Sequence, residues 1–443
     1  MSTTRSPGTA LADPAPPVAE NADAALRARR LDLALGAPLD PANPYGLPAL
    51  TATDRVTLPA APAGLRAELV PRAAGGHFTS ADQLARALRP VFRRDLALGH
   101  LWAVHPLAVG ELDPVPGRGA ELAALLGAAG LTAAAGGVLR AAARVVDGPD
   151  RHELNLRQWY HTLAEAFADL LACESLTAVA LRSLALPADD VPVLVAAVGY
   201  AVPQLVGDTL DALELVMNES GFGHDHAERR MLAKLGGDRA HTRVDWAAAA
   251  DRQARLVRAL PRLAHPAPSG AQRPPEPLFR LGDPAPTAAG QPPSEPVGRL
   301  AVDTALGAAA TRLAEAGDVD PATVALARTA RRLVGEQRAV RISCRTAADR
   351  DPADPAARAL ADRQALLLLA AAVLGVGQAA GASGSGFLGR PDWALLALTR
   401  ITERLSVPRP AIETDPRRAV WAELARRGRQ GVDCDVHATR LPW

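Results

Sequence analysis

The stretch Leu163-Ala164-Glu165-Ala166-Phe167-Ala168-Asp169-Leu170-Leu171-Ala172-Cys173 has the spacing of a helix that is apolar on more than one face. Leu163, Phe167, Leu170 and Leu171 fall at i, i+4, i+7 and i+8, and Leu176 and Val179 carry the pattern on, so the helix is expected over Leu154 to Leu184. The next run, Asp190 to Met217, is similar, with Val195, Val198, Val202, Leu205, Val206, Leu210 and Leu213. Helices that are apolar on several sides must be packed on several sides, which predicts a bundle.

Upstream, residues 1-22 are small, polar and Pro-rich and predict a disordered tail. A short helix is expected from Ala24 to Leu35 with Asp23 as N-cap. Another begins behind Thr79 or Ser80, where Ser80 and Gln83 have capping-box spacing. Leu84, Leu88, Val91 and Phe92 form its apolar stripe, and Arg93 and Arg94 read as a solvated face, with contact to a carrier protein's phosphopantetheine as the alternative. Glu121 to Leu126 and Leu131 to Val146 read as two helices split by Gly127 and Gly130.

Downstream, helices are expected over Ala227 to Leu235 and Asp251 to Leu263, and then a Pro-rich linker. A second, smaller bundle follows with helices at about 299–316, 321–346, 355–380 and 391–405, and Gly381 to Gly386 reads as a flexible link. No alternating β-branched runs occur, so the predicted fold class is all-α. The expected divisions are a tail (1-22), an N-terminal helical domain (23-137), a bundle (138-265), a linker (266-298), a C-terminal helical domain (299-405) and a tail (406-443).

The composition bounds the function. Of 443 residues 22% are charged, yet the formal net charge is only +1, which offers no electrostatic footprint for nucleic acid or an anionic membrane surface. The richest apolar run, Ala365 to Val376, is too short to span a bilayer. Cys173, Cys344 and Cys434 form no CxxC pair, so neither a disulfide framework nor a zinc site is expected and a cytoplasmic location is the default.

Several segments together resemble the acyl-CoA dehydrogenase family, in particular its branch associated with acyl carrier proteins and natural products. Leu69 to Ser80, with Pro71 and Gly75-Gly76, and then Gln83 to Asp95 are similar to the family's N-terminal helices. Leu163 to Cys173 resembles the second helix of its C-terminal bundle, and Ala259 to Ala264 and Phe387 to Trp393 resemble that branch's C-terminal extension. The resemblance implies an acyl-thioester substrate, oxidation at Cα–Cβ with FAD, and an oligomer built through the bundle.

Departures from the family pattern shape the functional expectation. The family's central β-barrel domain, which walls the flavin, has no counterpart, because Leu131 to Gly137 runs almost directly into Val138 to Val146. Arg151 stands where the family's Arg reaches a neighbouring subunit's flavin pyrophosphate, but lacks the following aromatic-Gly pair. Asp245 is the carboxylate nearest the family's general base, with a helix N-cap before Trp246 as the competing role.

Three functions follow. The chain is a non-catalytic partner subunit, as a homo-oligomer or a heteromer with a full-length acyl-CoA dehydrogenase; an active acyl-thioester oxidoreductase; or an unrelated helical interaction protein. No cofactor is expected on the chain alone, FAD only in complex with a partner, and an acyl carrier protein is a further candidate partner. Val198 and Val202 read as facing a partner.

Other motifs compete with simpler roles. His224-Asp225-His226 with Glu228 could hold a metal but reads better as a solvated loop. Cys434 and His437 could make a nucleophilic dyad, but lie where order is usually poor. Trp159, Tyr160 and Phe167 are expected in the bundle core, with a flavin stack as the sharper alternative.

Overall fold

A computed structural model gives the fold. It describes residues 19–51, 58–148, 157–185, 191–219, 226–242, 246–264, 276–285, 301–315, 320–345, 351–384, 386–408, 410 and 414–441. Of the described residues 76% are helical, with no strand or sheet among them, so the chain is all-α. The longer helices are α1 (Ala19–Ala34), α2 (Ala81–Arg94), α3 (Gly119–Val146), α4 (Arg157–Ser183), α5 (Val191–Glu219) and α6 (Ala227–His241). They continue as α7 (Trp246–Ala264), α8 (Ala301–Glu315), α9 (Pro321–Arg345), α10 (Pro355–Ala382), α11 (Pro391–Arg404) and α12 (Arg417–Gln430).

The helix with several apolar faces is the centre of the molecule. α4 packs against α3, α5, α10, α11 and α12, and Leu163, Phe167, Cys173, Leu176 and Val179 are fully buried. α10 and α11 dock on α4, and α10 also meets α7, so one contiguous apolar core runs from Leu31 to Val436. Val198 and Val202 are both 0% exposed and belong to this core, which corrects their reading as outward-facing.

α3 is a single helix where two were expected. Gly130 is small for packing rather than for a chain break, since a Cβ there would sit 2.3 Å from Cδ1 of Phe92 on α2. The expected boundary between residues 137 and 138 thus falls inside one helix. Within 266–298 the described part, 276–285, is docked. The Phe279 ring lies against Gly375, where a Cβ would come within 2.3 Å of it. Arg182, 0% exposed, donates to the carbonyls of Pro277 at 2.7 Å, Asp283 at 3.0 Å and Pro284 at 3.0 Å.

Two expected caps take other roles. Asp23 lies inside α1 and pairs with Arg72 at 3.0 Å and Arg27 at 3.3 Å. Ser80 precedes α2 but its hydroxyl donates to Asp82 at 2.7 Å, so no capping box forms.

Among the described residues α3, α5 and α10 are long and apolar enough to cross a membrane by length and composition, where the run Ala365 to Val376 had suggested none. In this fold their apolar windows are covered by protein, being 89%, 78% and 67% buried.

The segment 406–443, expected to be a tail, carries α12 and a buried loop. Val420 and Leu424, at i and i+4, are fully buried, and Trp421 stacks on Tyr160 with centroids 4.6 Å apart. The frequent arginines of this segment hid its apolar stripe.

Candidate functional site

Arg86, Arg89 and Arg93 stand at i, i+3 and i+7 on α2 and share one helix face. With Arg94 they are buried, each 8% exposed or less, which overturns the solvated-face reading of Arg93 and Arg94. A buried guanidinium must be paired and its donors satisfied. Arg94 finds backbone carbonyls, those of Gly36 at 2.8 Å and of Leu35 and Tyr45 at 3.0 Å. Arg89 bridges two carboxylates, donating through Nε to Asp433 and through Nη1 to Glu174 of α4. The other Asp433 oxygen lies 3.4 Å from Nε of Arg93.

Asp433 belongs to a loop, Gly431 to Leu441, that leaves α12 through Gly431 in the left-handed region (φ +62°). The loop is internally bonded. Asp433 N donates to Thr439 O at 2.8 Å, Leu441 N to Gly431 O at 3.0 Å, and Thr439 Oγ1 to Asp435 at 2.5 Å. Helices grip it from outside. Arg427 Nη1 donates to the carbonyls of Asp433 and Asp435 at 2.9 and 2.6 Å, Arg140 of α3 to that of Leu441 at 2.6 Å, and Arg86 to Thr439 Oγ1 at 3.2 Å. Val436 N donates to Glu174 at 2.9 Å. Arg427 also sits over the Phe167 and Phe387 rings, 5.1 and 5.9 Å from their centroids.

Beside the loop is a cavity of about 50 Å³ whose walls include Asp82, Arg86, Arg89, Glu174, Thr177 and His437. Burial pushes the Glu174 carboxyl up to about 7 against the pull of Arg89. Burial, reinforced by Arg86, pushes the His437 imidazole down to about 3 although Asp435 is near. Burial alone would raise Asp433, but Arg89, Arg93 and Arg140 together hold it below the ordinary carboxylate range. The chemistry on offer is therefore a carboxyl that titrates near neutrality beside a neutral imidazole and a paired guanidinium. A second cavity of about 20 Å³ lies between α2, α3 and α6, near Lys234, the single lysine of the chain. Lys234 Nζ reaches Asp95 at 2.9 Å and Asp238 at 2.7 Å.

Arg151 and Asp245, the flavin-pyrophosphate and general-base candidates, lie outside the described residues, as do His224 and Asp225. His226 is half exposed, with Nδ1 4.0 Å from Glu228. Among the described residues no group of three or more His, Cys, Asp or Glu side chains is arranged to hold a metal ion. Burial pushes the Cys434 thiol up to about 12, so a nucleophilic thiolate is disfavoured. Trp159 and Phe167 are buried in the core, where Phe167 stacks on Phe387, as packing predicted, and Tyr160 is partly buried against it. Sequence reading missed Glu174, Arg89 and Arg140. The usable signal was the i, i+3, i+7 arginine row on a helix whose other face is apolar.

The chain matches no protein-family model, and searches of curated proteins and of solved structures find no match either.

Proposed function

We propose that this chain is a non-catalytic helical partner subunit, acting in the cytoplasm in acyl-CoA or acyl-carrier-protein metabolism beside a full-length acyl-CoA dehydrogenase. The observation that carries the reading is how the interior is filled. Leucine, valine and alanine side chains and arginine-carboxylate pairs occupy the space between α2, α3, α4 and α5. The cavities described above, about 50 and 20 Å³, compare with roughly 300–1,000 Å³ for a small-molecule pocket. The choice of dehydrogenase and acyl carrier protein as partners rests on the sequence resemblance.

One observation favours a second reading, an active acyl-thioester enzyme whose flavin site is completed by the partner. A Glu174 carboxyl near 7 on a cavity wall is matched to general acid–base chemistry at neutral pH.

The test is co-expression with a full-length acyl-CoA dehydrogenase of the same organism. Co-elution as a heteromer, with flavin and activity that persist in Glu174→Gln, is expected of the non-catalytic subunit. Activity lost in Glu174→Gln supports the enzyme reading. A chain that sediments alone as a monomer, and leaves the dehydrogenase unaffected, would overturn both and leave a helical interaction protein of another kind.

A further inference from the structure

We propose that the cleft between α2, α3 and α4 is a binding site for a phosphate-type dianion, and that the loop Gly431 to Leu441 is its built-in occupant. The proposal is independent of the dehydrogenase reading.

The charge on the walls supports it. The helices contribute Arg86, Arg89, Arg93 and Arg140, against Glu174 and the half-buried Asp32 of α1. Asp82 is taken by Arg182 at 2.8 Å. Arg94, which also faces Asp32, adds to the excess of cations over acids on these walls, and the loop supplies two carboxylates, Asp433 and Asp435. A dianion in their place would bring the same two negative charges. Arg140 lies within this group of cations: burial and then Arg93 push its guanidinium down to about 9, and Asp433 of the loop pulls it back up.

The geometry fits the same class. Asp433 Oδ2 accepts from Arg89 Nε, and Oδ1 accepts from Cys434 N at 2.8 Å with Arg93 Nε 3.4 Å away, so two guanidinium groups face one anionic group, an arrangement that suits phosphate as well as carboxylate. The loop's backbone is bonded to itself, and its polar contacts with the helices are chiefly hydrogen bonds from Arg86, Arg140 and Arg427 that an anion could take over, while Cys434, Val436 and Leu441 are buried and would have to be exposed with it. The cavity of about 50 Å³ already opens along one edge of it.

Hydrogen exchange of the intact chain tests the idea. Inorganic phosphate, and separately phenyl phosphate, are compared with chloride at matched ionic strength, while amides 432–441 are followed. Displacement of the loop predicts faster exchange there, opposite to the general stabilising effect of phosphate on folded proteins. Asp433→Asn, which weakens the occupant, should bind phosphate about tenfold more tightly by calorimetry. A response to inorganic phosphate assigns the free anion, and one to phenyl phosphate alone assigns the phosphate end of a larger ligand. Unchanged exchange with both anions overturns the proposal, and this arm decides the matter if Asp433→Asn does not fold.

Discussion

Phe92 on α2 lies so close to Gly130 on α3 that a methyl group at Gly130 would meet Cδ1 of the ring at 2.3 Å. Gly130→Ala should therefore destabilise the protein by about 1–3 kcal/mol through overpacking. Gly127, one turn earlier, has nothing within 4 Å of its would-be Cβ. Gly127→Ala should stabilise by up to about 1 kcal/mol from helix propensity. Urea denaturation of the two variants checks both signs.

Glu174 and His437 make opposite contributions to stability against pH. With its carboxyl pushed up to about 7 in the fold, Glu174 stabilises fully below its unfolded value, and that contribution is lost as pH rises through about 7. His437, pushed down to about 3, disfavours folding while the unfolded imidazole is protonated, so stability rises with pH from about 3 to about 6.5. Between about pH 4.5 and 6.5 the two slopes oppose each other. Glu174→Gln should remove the falling limb and leave stability rising toward pH 6.5, as measured by melting temperature across that range. A profile identical to that of the unchanged chain would refute the assignment.

Arg182 joins Asp82 to three carbonyls of the segment 276–285. Arg182→Met leaves a buried carboxylate without its cation, which costs about 3–5 kcal/mol. Limited proteolysis should find new cleavage between residues 276 and 285, and denaturation should show the loss.

Positions on α5 separate packing from assembly. Val198 is 0% exposed, so Val198→Asp should abolish cooperative unfolding through a buried unpaired charge. Leu215 is 50% exposed, and Leu215→Asp should change stability by less than about 0.5 kcal/mol. If a partner covers this face, sedimentation of Leu215→Asp with the dehydrogenase shows weakened association with helicity intact.

The helices were largely legible because apolar spacing survives an Arg-rich, Ala-rich composition. Leu163, Phe167 and Leu170 placed α4 correctly, and the ends of α9, α10 and α11 were expected within a few residues. Gly127 and Gly130 misled, because a glycine demanded by a neighbouring ring reads in one dimension like a helix break. The candidate site was not legible. Arg89 and Asp433 are 344 residues apart, and local pattern carries no information about which charges a fold brings together. Arg93 and Arg94 accordingly read as solvent-facing, although a charge meets water or a partner with equal ease in the sequence.

That same separation has a bearing on how the chain is made. During synthesis from the N-terminus, α2 and α3 leave the ribosome hundreds of residues before the loop that answers Arg89, Arg93 and Arg140. Until translation passes Asp433, those guanidinium groups can be dehydrated only at a cost of several kcal/mol each, so this part of the interior stays wet. Final closure is therefore a late event that waits for the residues around Asp433, and nascent forms lacking them are natural clients for chaperones.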